Sequence, residues 1–139
     1  RPRPLDLLPF TNSREVQSVL VSGACYIDHL PGQAFTLYQL HVPLVDSERF
    51  AYRRYSEFVA LDQRLARIAK EPSAMLCLSS RSLPRLPPRT LPWEDRNDPE
   101  VILRRWGALQ VYLDAALELV SRDDQDDKGW ELFRDFLSL

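Results

Sequence analysis

The N-terminal part of the chain shows the alternation of apolar and polar residues that is typical of β-strands. The first alternating apolar positions are Val19, Val21, Cys25 and Ile27. A second stretch, residues 35–45, is rich in β-branched and aromatic residues, and residues 50–54 can form a third strand. Turns are indicated at residues 31–32 and 46–48. Two short turns between three strands predict an antiparallel meander.

The spacing of the apolar residues then changes to three and four, which is the period of an α-helix. Ser56 is the predicted cap of the first helix, and Asp98-Pro99-Glu100 is a typical start for the second. The apolar positions are Phe58, Leu61, Leu65 and Ile68 in the first helix, Ile102, Trp106, Leu109, Leu113 and Ala116 in the second, and Trp130, Phe133 and Leu137 in a short third.

Between the first two helices, five prolines in the 27 residues from 71 to 97 exclude a regular helix. Strands followed by helices indicate an α+β fold. We predict a three-stranded antiparallel N-terminal sheet packed on a helical subdomain, with a proline-rich loop between the first and second long helices. Residues 1–13, which contain three prolines, are the predicted lead-in or linker to one domain at residues 14–139.

Composition narrows the classes of protein that fit this fold. The 139 residues are enough for one hydrophobic core. Eighteen basic and 20 acidic residues give a formal net charge of −2, which argues against a nucleic-acid partner. Cys25 and Cys77 are too few for a disulfide framework, so we expect a reducing, cytoplasmic compartment. No apolar run reaches the roughly 18–20 residues of a membrane span.

Several chemistries lack the residues that they require. The four glycines are far apart in the sequence, so they form no glycine-rich phosphate loop. His29 and His41 have no partner at the spacing of zinc ligands, and no Ser–His–acid set lies on glycine-flanked turns. We therefore expect no enzyme activity, no cofactor and no metal site.

Residues 53–58 (RRYSEF) form the first of three distinctive basic segments. They lie where the third strand passes into the first helix, and the N-terminus of a helix favours an anion through its free amides and its dipole. Strand alternation predicts that Arg53 and Arg54 point to opposite sides. One of the two can therefore face a ligand.

Residues 81–89 (RSLPRLPPR) form the second basic segment. Prolines at this density favour an extended polyproline stretch, which would hold Arg89 out on a stiff arm. Leu91 and Trp93 follow directly, and a large apolar pair in a loop can enter a membrane interface. The third segment contains Arg105, which lies at the edge of the apolar stripe of the second long helix.

These segments together resemble the phox-homology (PX) domain, a phosphoinositide-binding module of sorting nexins and oxidase subunits. Three motifs carry the resemblance: residues 53–58 (RRYSEF), 83–89 (LPRLPPR) and 105–113 (RWGALQVYL). They occur in the family's order, and the similar region covers about residues 14–137. The predicted order of strands and helices agrees with the fold that this resemblance implies.

The resemblance implies a role for each matching position. Arg54 would grip the 3-phosphate of phosphatidylinositol 3-phosphate, Tyr55 would pack beneath the inositol ring, and Ser56 would reach the same phosphate. Arg89, where the family more often has lysine, would contact the 1-phosphate. Arg105 would hydrogen-bond the 4- and 5-hydroxyls, which implies selectivity against lipids with a phosphate at either position.

The resemblance also implies insertion into endosomal or vacuolar membranes by a peripheral protein. Leu91 and Trp93 fall in the family's membrane-inserting loop, and Leu30, at the first hairpin turn, is a weaker candidate. Glu94 and Asp95 follow Trp93 directly and would resist deep insertion.

A function of a different class uses the proline-rich segment itself. Residues 81–89 match the pattern that SH3 domains recognise, a polyproline helix with a flanking basic residue. The alternative prediction is therefore a protein-interaction module whose residues 81–89 dock an SH3 domain.

Overall fold

A computed structural model describes residues 16–28, 32, 34–69, 85–90, 94–122 and 127–139. Within these ranges, three strands precede three helices. The strands are β1 (Leu20–Ile27), β2 (Phe35–Pro43) and β3 (Glu48–Arg53), and the helices are α1 (Tyr55–Ala69), α2 (Pro99–Arg122) and α3 (Asp127–Phe136). This order confirms the predicted α+β class.

The sheet is an antiparallel meander with β2 in the centre. One face of β2 is buried, because Thr36, Tyr38, Leu40 and Val42 alternate with residues that keep partial exposure. The register of β1 shifts between Val21 and Gly23, where the strand carries a bulge. The predicted three-stranded meander is confirmed, although β2 ends at Pro43 rather than at residue 45.

The buried face of the sheet packs against the apolar faces of the helices. The ring of Phe58 on α1 has no solvent exposure and lies edge-on to Tyr38, with ring centroids 6.4 Å apart. Phe136 of α3 contacts the same ring at 5.0 Å, so one phenylalanine joins the sheet, α1 and α3. The predicted helix faces are confirmed by the burial of Phe58, Leu61, Leu65, Leu109, Leu113, Ala116, Trp130, Phe133 and Leu137.

Side chains of α2 attach that helix to β1. Trp106 Nε1 donates to the carbonyl of Val21 at 2.8 Å, and the Val21 amide donates to Gln110 Oε1 at 2.7 Å. Gln110 Nε2 also donates to the carbonyl of Val19 at 2.8 Å. Both polar backbone groups of Val21 are therefore satisfied by side chains of one helix. These bonds fix α2, and with it the neighbouring Arg105, relative to the sheet.

The start of α1 differs from the prediction that Ser56 caps it. Ser56 lies inside the first turn, and Arg54 occupies the cap position instead. The Arg54 carbonyl accepts from the Glu57 amide at 2.9 Å, while Glu57 Oε1 accepts from the Arg54 amide at 2.8 Å. Glu57 thus supplies the carboxylate of a capping box, which bonds back to the amide of the cap residue. The helix is capped in this way although the cap residue, Arg54, is not a Ser or Asp.

Some predictions fall on residues that the structure does not describe. These are residues 1–13, the candidate insertion residues Leu30, Leu91 and Trp93, and most of the proline-rich loop, including Arg81 and Pro84. Among the helices that the structure does describe, none combines the length and apolar character needed to cross a bilayer.

Candidate functional site

A cavity of about 510 Å³ lies where the start of β2, the N-terminus of α1, residues 85–90 and the first turns of α2 meet. Among the described residues, four arginines line it: Arg54, Arg89, Arg96 and Arg105. The described lining residues include no aspartate or glutamate. A cavity with several guanidiniums and no carboxylate in its described wall has an electrostatic potential that favours anions.

Arg105 forms a buried wall of this cavity. Only 5% of the residue is exposed, and its guanidinium carbon lies 3.8 Å from the centroid of the Tyr55 ring. Its Nε is buried and makes no hydrogen bond to any residue that the structure describes. A buried, incompletely bonded guanidinium is costly, so its retention in this cavity points to a ligand that supplies acceptors.

The Tyr38 hydroxyl is buried near the Arg105 guanidinium, although the two groups do not meet the geometry of a full hydrogen bond. Burial raises the pKa of Tyr38, and the charge of Arg105 opposes this increase without reversing it. Tyr38 is therefore neutral at physiological pH, and it adds a polar group to the floor without adding a negative charge.

Tyr55 connects two of the elements that form the cavity. Its ring lies against Arg105, and its hydroxyl donates to the carbonyl of Pro87. The second contact attaches the segment that carries Arg89 to the first residue of α1. Tyr55 thus holds Arg105 and positions the backbone beside Arg89, in addition to the predicted role beneath a ligand ring.

The predicted divergence of Arg53 and Arg54 is confirmed. The guanidinium of Arg54 lies over the ring of Phe35, 4.3 Å from its centroid, and Arg54 lines the cavity. Arg53 instead donates to Ser138 Oγ at 2.7 Å and lies over the Phe136 ring at 5.5 Å. Arg53 therefore supports the C-terminal end of the domain, and Arg54 faces the cavity.

The five headgroup-binding positions that the sequence predicts lie together. Arg54, Tyr55, Ser56, Arg89 and Arg105 all line the same cavity. They come from the start of α1, from residues 85–90 and from α2, so their proximity depends on the packing of three separate segments.

The sequence analysis did not identify several other described residues of the wall, among them Phe35, Arg96 and Asn97. Phe35 supports Arg54, and Arg96 contributes a fourth guanidinium. Asn97 accepts a hydrogen bond from Thr36 at 2.7 Å across 61 positions of the chain. The sequence feature that could have indicated Arg96 is its position directly before the predicted helix start at Asn97-Asp98-Pro99.

The acidic residues that follow Trp93 in the sequence are engaged within the protein. A carboxylate oxygen of Glu94 lies 3.5 Å from Arg104 Nη2. Asp95 Oδ1 accepts the Asn97 amide at 2.9 Å. The Arg104 cation offsets part of the negative charge of Glu94, whereas a neutral backbone amide does not offset that of Asp95.

The fold and the cavity together define a class of protein, an α+β anion-binding module. The described residues contain no cluster of three or more His, Cys, Asp or Glu side chains suited to a metal ion. The positive charge of the described cavity wall comes from its arginines.

The comparison with known proteins gives the family. The family model of the PX domain matches residues 43–139, well over half of the chain, and the chain belongs to this family. A designed CISK-PX domain has a similar structure, with a TM-score of 0.64 at 20% identity, covering 88% of this chain and 99% of that one. The mouse SNX19 PX domain with bound sulphate ion has a TM-score of 0.53 at 19% identity, with 89% and 97% covered. No curated protein matches the chain.

PX domains are non-catalytic modules that bind phosphoinositides and target membranes, and this class of function applies to the chain through its family. The match begins at Pro43, the last residue of β2. β1 and the rest of β2 precede the matched range but belong to the same sheet.

Proposed function

We propose that this domain binds phosphatidylinositol 3-phosphate and recruits its protein to endosomal or vacuolar membranes. The observation that carries the proposal is the buried guanidinium of Arg105, held on Tyr55 in a cavity with three further arginines. A phosphorylated inositol ring supplies both of the chemistries that this wall requires. Its phosphates balance the positive charge of the arginines, and its hydroxyls accept hydrogen bonds from the buried Arg105 guanidinium.

The proposal assigns one part of the headgroup to each residue. Arg54 binds the 3-phosphate, with Ser56 beside it at the N-terminus of α1, where free amides and the helix dipole favour an anion. Arg89 binds the 1-phosphate at the exposed side of the cavity. Tyr55 lies beneath the inositol ring, and Arg105 donates to the 4- and 5-hydroxyls.

The selectivity follows from the burial of Arg105. An arginine held on an aromatic ring and only 5% exposed has little freedom to move for a bulkier group. A phosphate at the 4- or 5-position would have to occupy space that fits a hydroxyl. We therefore expect the lipid with a single 3-phosphate to bind more tightly than bisphosphorylated lipids.

The proposal includes a membrane contact beside the headgroup. Leu91 and Trp93 follow Arg89 by two and four positions, so they belong to the segment that enters the bilayer interface when Arg89 reaches the 1-phosphate. Leu30 is the third proposed insertion residue. The domain at residues 14–139 is the unit to which we assign the binding.

Sedimentation with vesicles tests the headgroup assignment. Vesicles of matched total charge, each containing one phosphoinositide, are mixed with wild type, Arg54→Gln, Arg105→Gln and Arg49→Gln. Arg49 is exposed on β3 and is absent from the cavity wall, so it controls for the loss of one positive charge. Selective sedimentation of wild type and Arg49→Gln with the 3-phosphate lipid supports the proposal.

Each charged hydrogen bond to the headgroup contributes about 1.5–3 kcal/mol, so Arg54→Gln and Arg105→Gln should each weaken binding at least roughly tenfold. Equal binding to a 4,5-bisphosphate lipid would contradict the assignment of Arg105. Failure to sediment with every phosphoinositide would contradict lipid binding itself and favour the SH3 alternative.

The structure gives that alternative less support. Pro87 is buried, its carbonyl accepts from Tyr55, and Arg89 lines the cavity. An SH3 domain requires an exposed proline ridge with a free flanking arginine. An Arg81→Glu variant separates the two functions, because it should weaken SH3 docking and leave vesicle binding unchanged.

A further inference from the structure

Arg96 is the one arginine of the cavity to which the proposed headgroup contacts assign no partner. It is exposed and lines the cavity, and its guanidinium makes no ion pair with the described part of the chain. The acids nearest to it in sequence already have partners. Asp95 Oδ1 accepts the Asn97 amide at 2.9 Å, and Asp98 Oδ1 accepts the Glu100 amide at 2.8 Å. Arg96 therefore brings a positive charge that its neighbours leave available to a ligand.

The backbone turn that carries Arg96 is attached to the sheet by a side-chain contact of the next residue. Asn97 Oδ1 accepts from the hydroxyl of Thr36 at 2.7 Å, and Thr36 is only 8% exposed. The backbone from residue 95 to residue 98 is closed by a bond from the Asp98 amide to the Asp95 carbonyl at 2.8 Å. The turn that carries Arg96 is thus closed internally and attached to β2.

The same part of β2 also positions Arg54. The guanidinium of Arg54 lies over Phe35, and Phe35 directly precedes Thr36. Arg54 therefore lies against Phe35, the turn that carries Arg96 is bonded through Asn97 to the next residue of the same strand, and both arginines line one cavity. Their like charges repel each other, and no described lining residue supplies a carboxylate to compensate.

We propose that Arg54 and Arg96 form a two-guanidinium clamp on one phosphate monoester, which is the 3-phosphate if the proposed function is correct. A phosphate monoester carries about −1.5 to −2 charges at neutral pH, so it can balance two guanidiniums, whereas a hydroxyl cannot. Arg96 is then a headgroup-binding residue, and Thr36 is a positioning residue that acts through Asn97.

Calorimetric titration of the folded domain with a soluble short-chain phosphatidylinositol 3-phosphate tests the clamp in the absence of a bilayer. The proteins are wild type, Arg54→Gln, Arg96→Gln and the charge control Arg49→Gln. We expect Arg96→Gln to weaken binding about tenfold and Arg49→Gln to change it less than twofold. The same proteins are then sedimented with vesicles that contain the lipid, where Arg96→Gln should show a similar loss.

Thr36→Val supplies a readout that separates positioning from general stability. It removes the hydroxyl that holds Asn97 and keeps a β-branched side chain on β2. We expect it to weaken binding several-fold in wild type and to cause no further loss in the Arg96→Gln background. A loss of equal size in both backgrounds would overturn the positioning role of Thr36.

The outcomes distinguish the clamp from the function on which it rests. If wild type binds, Arg54→Gln removes binding and Arg96→Gln equals Arg49→Gln, then the clamp is wrong and the proposed function stands. If Arg96→Gln weakens vesicle binding alone, then Arg96 contacts other lipids and the clamp is also wrong. If wild type binds neither the soluble lipid nor the vesicles, the proposed function fails.

Discussion

Replacing Arg105 by methionine should separate the stability of this domain from its binding. The guanidinium is buried against Tyr55, has an unbonded Nε, and has no carboxylate partner in the described part of the chain. Methionine has a similar unbranched stem and can keep the contact with the aromatic ring. The substitution therefore removes the charge and most of the polar atoms while preserving much of the packing.

Two opposing free energies decide the effect on stability. The guanidinium–ring contact contributes up to about 2 kcal/mol when it is desolvated. Holding a cation away from water costs several kcal/mol, and a thioether recovers roughly 0.3–1.5 kcal/mol against the same ring. We expect Arg105→Met to leave the free energy of unfolding unchanged or to raise it by about 1 kcal/mol. Binding should fall at least roughly tenfold, because charge-assisted hydrogen bonds of about 1.5–3 kcal/mol are lost.

Urea unfolding followed by tryptophan fluorescence measures the first quantity, and vesicle sedimentation measures the second. Leu109→Ala is a suitable reference, because Leu109 has no exposure and its truncation should cost about 2–5 kcal/mol. If Arg105→Met lowers the free energy of unfolding by more than about 1 kcal/mol, the guanidinium supports the fold. Ligand binding would then not be the reason for a guanidinium at this buried position.

Three further predictions concern the scaffold. Glu57→Ala should destabilise the domain by about 1 kcal/mol in urea unfolding, with Glu57→Gln close to wild type, because the carboxylate closes the capping box. Gln110→Leu should speed amide hydrogen exchange at Val21, because Gln110 Oε1 accepts the hydrogen bond from the Val21 amide. An unchanged exchange rate would contradict that contact. Tyr112→Phe should lower the thermal midpoint, because the Tyr112 hydroxyl donates to Asp62 and its pKa is raised by burial and by this bond.

Local patterns were sufficient for most of the secondary structure. The alternation around Tyr38 and the helical spacing from Phe58 reflect burial on one face, which depends on residues that are close in sequence. Arg53 and Arg54 do diverge as predicted, but strand alternation is not the reason, because β3 ends at Arg53 and Arg54 is the cap residue of α1. The cap of α1 was assigned wrongly to Ser56, because serine is a preferred residue at the first position of a helix cap. The true cap is Arg54, and the feature that identifies it is the Glu57 carboxylate three positions later, which accepts from the Arg54 amide.

The site could be predicted only where a motif marked it. Arg54, Arg89 and Arg105 were named from the family resemblance, and the structure places all three at one cavity. Arg96 and Phe35 lie outside those motifs. The Thr36–Asn97 bond that fixes the turn beside Arg96 spans 61 positions, and no periodicity within a segment reports such a contact. Contacts of this kind depend on the packed tertiary structure.

The attachment of α2 to β1 also has a consequence for association between molecules. β1 lies at one side of the three-stranded sheet, and an open strand edge is a template for pairing with another chain. The side chains of Gln110 and Trp106 occupy the outward amide and carbonyl of Val21, as an added strand would. The helix that supplies Arg105 therefore also covers part of this strand edge, and at Val21 it opposes the pairing of β1 with a strand of another molecule.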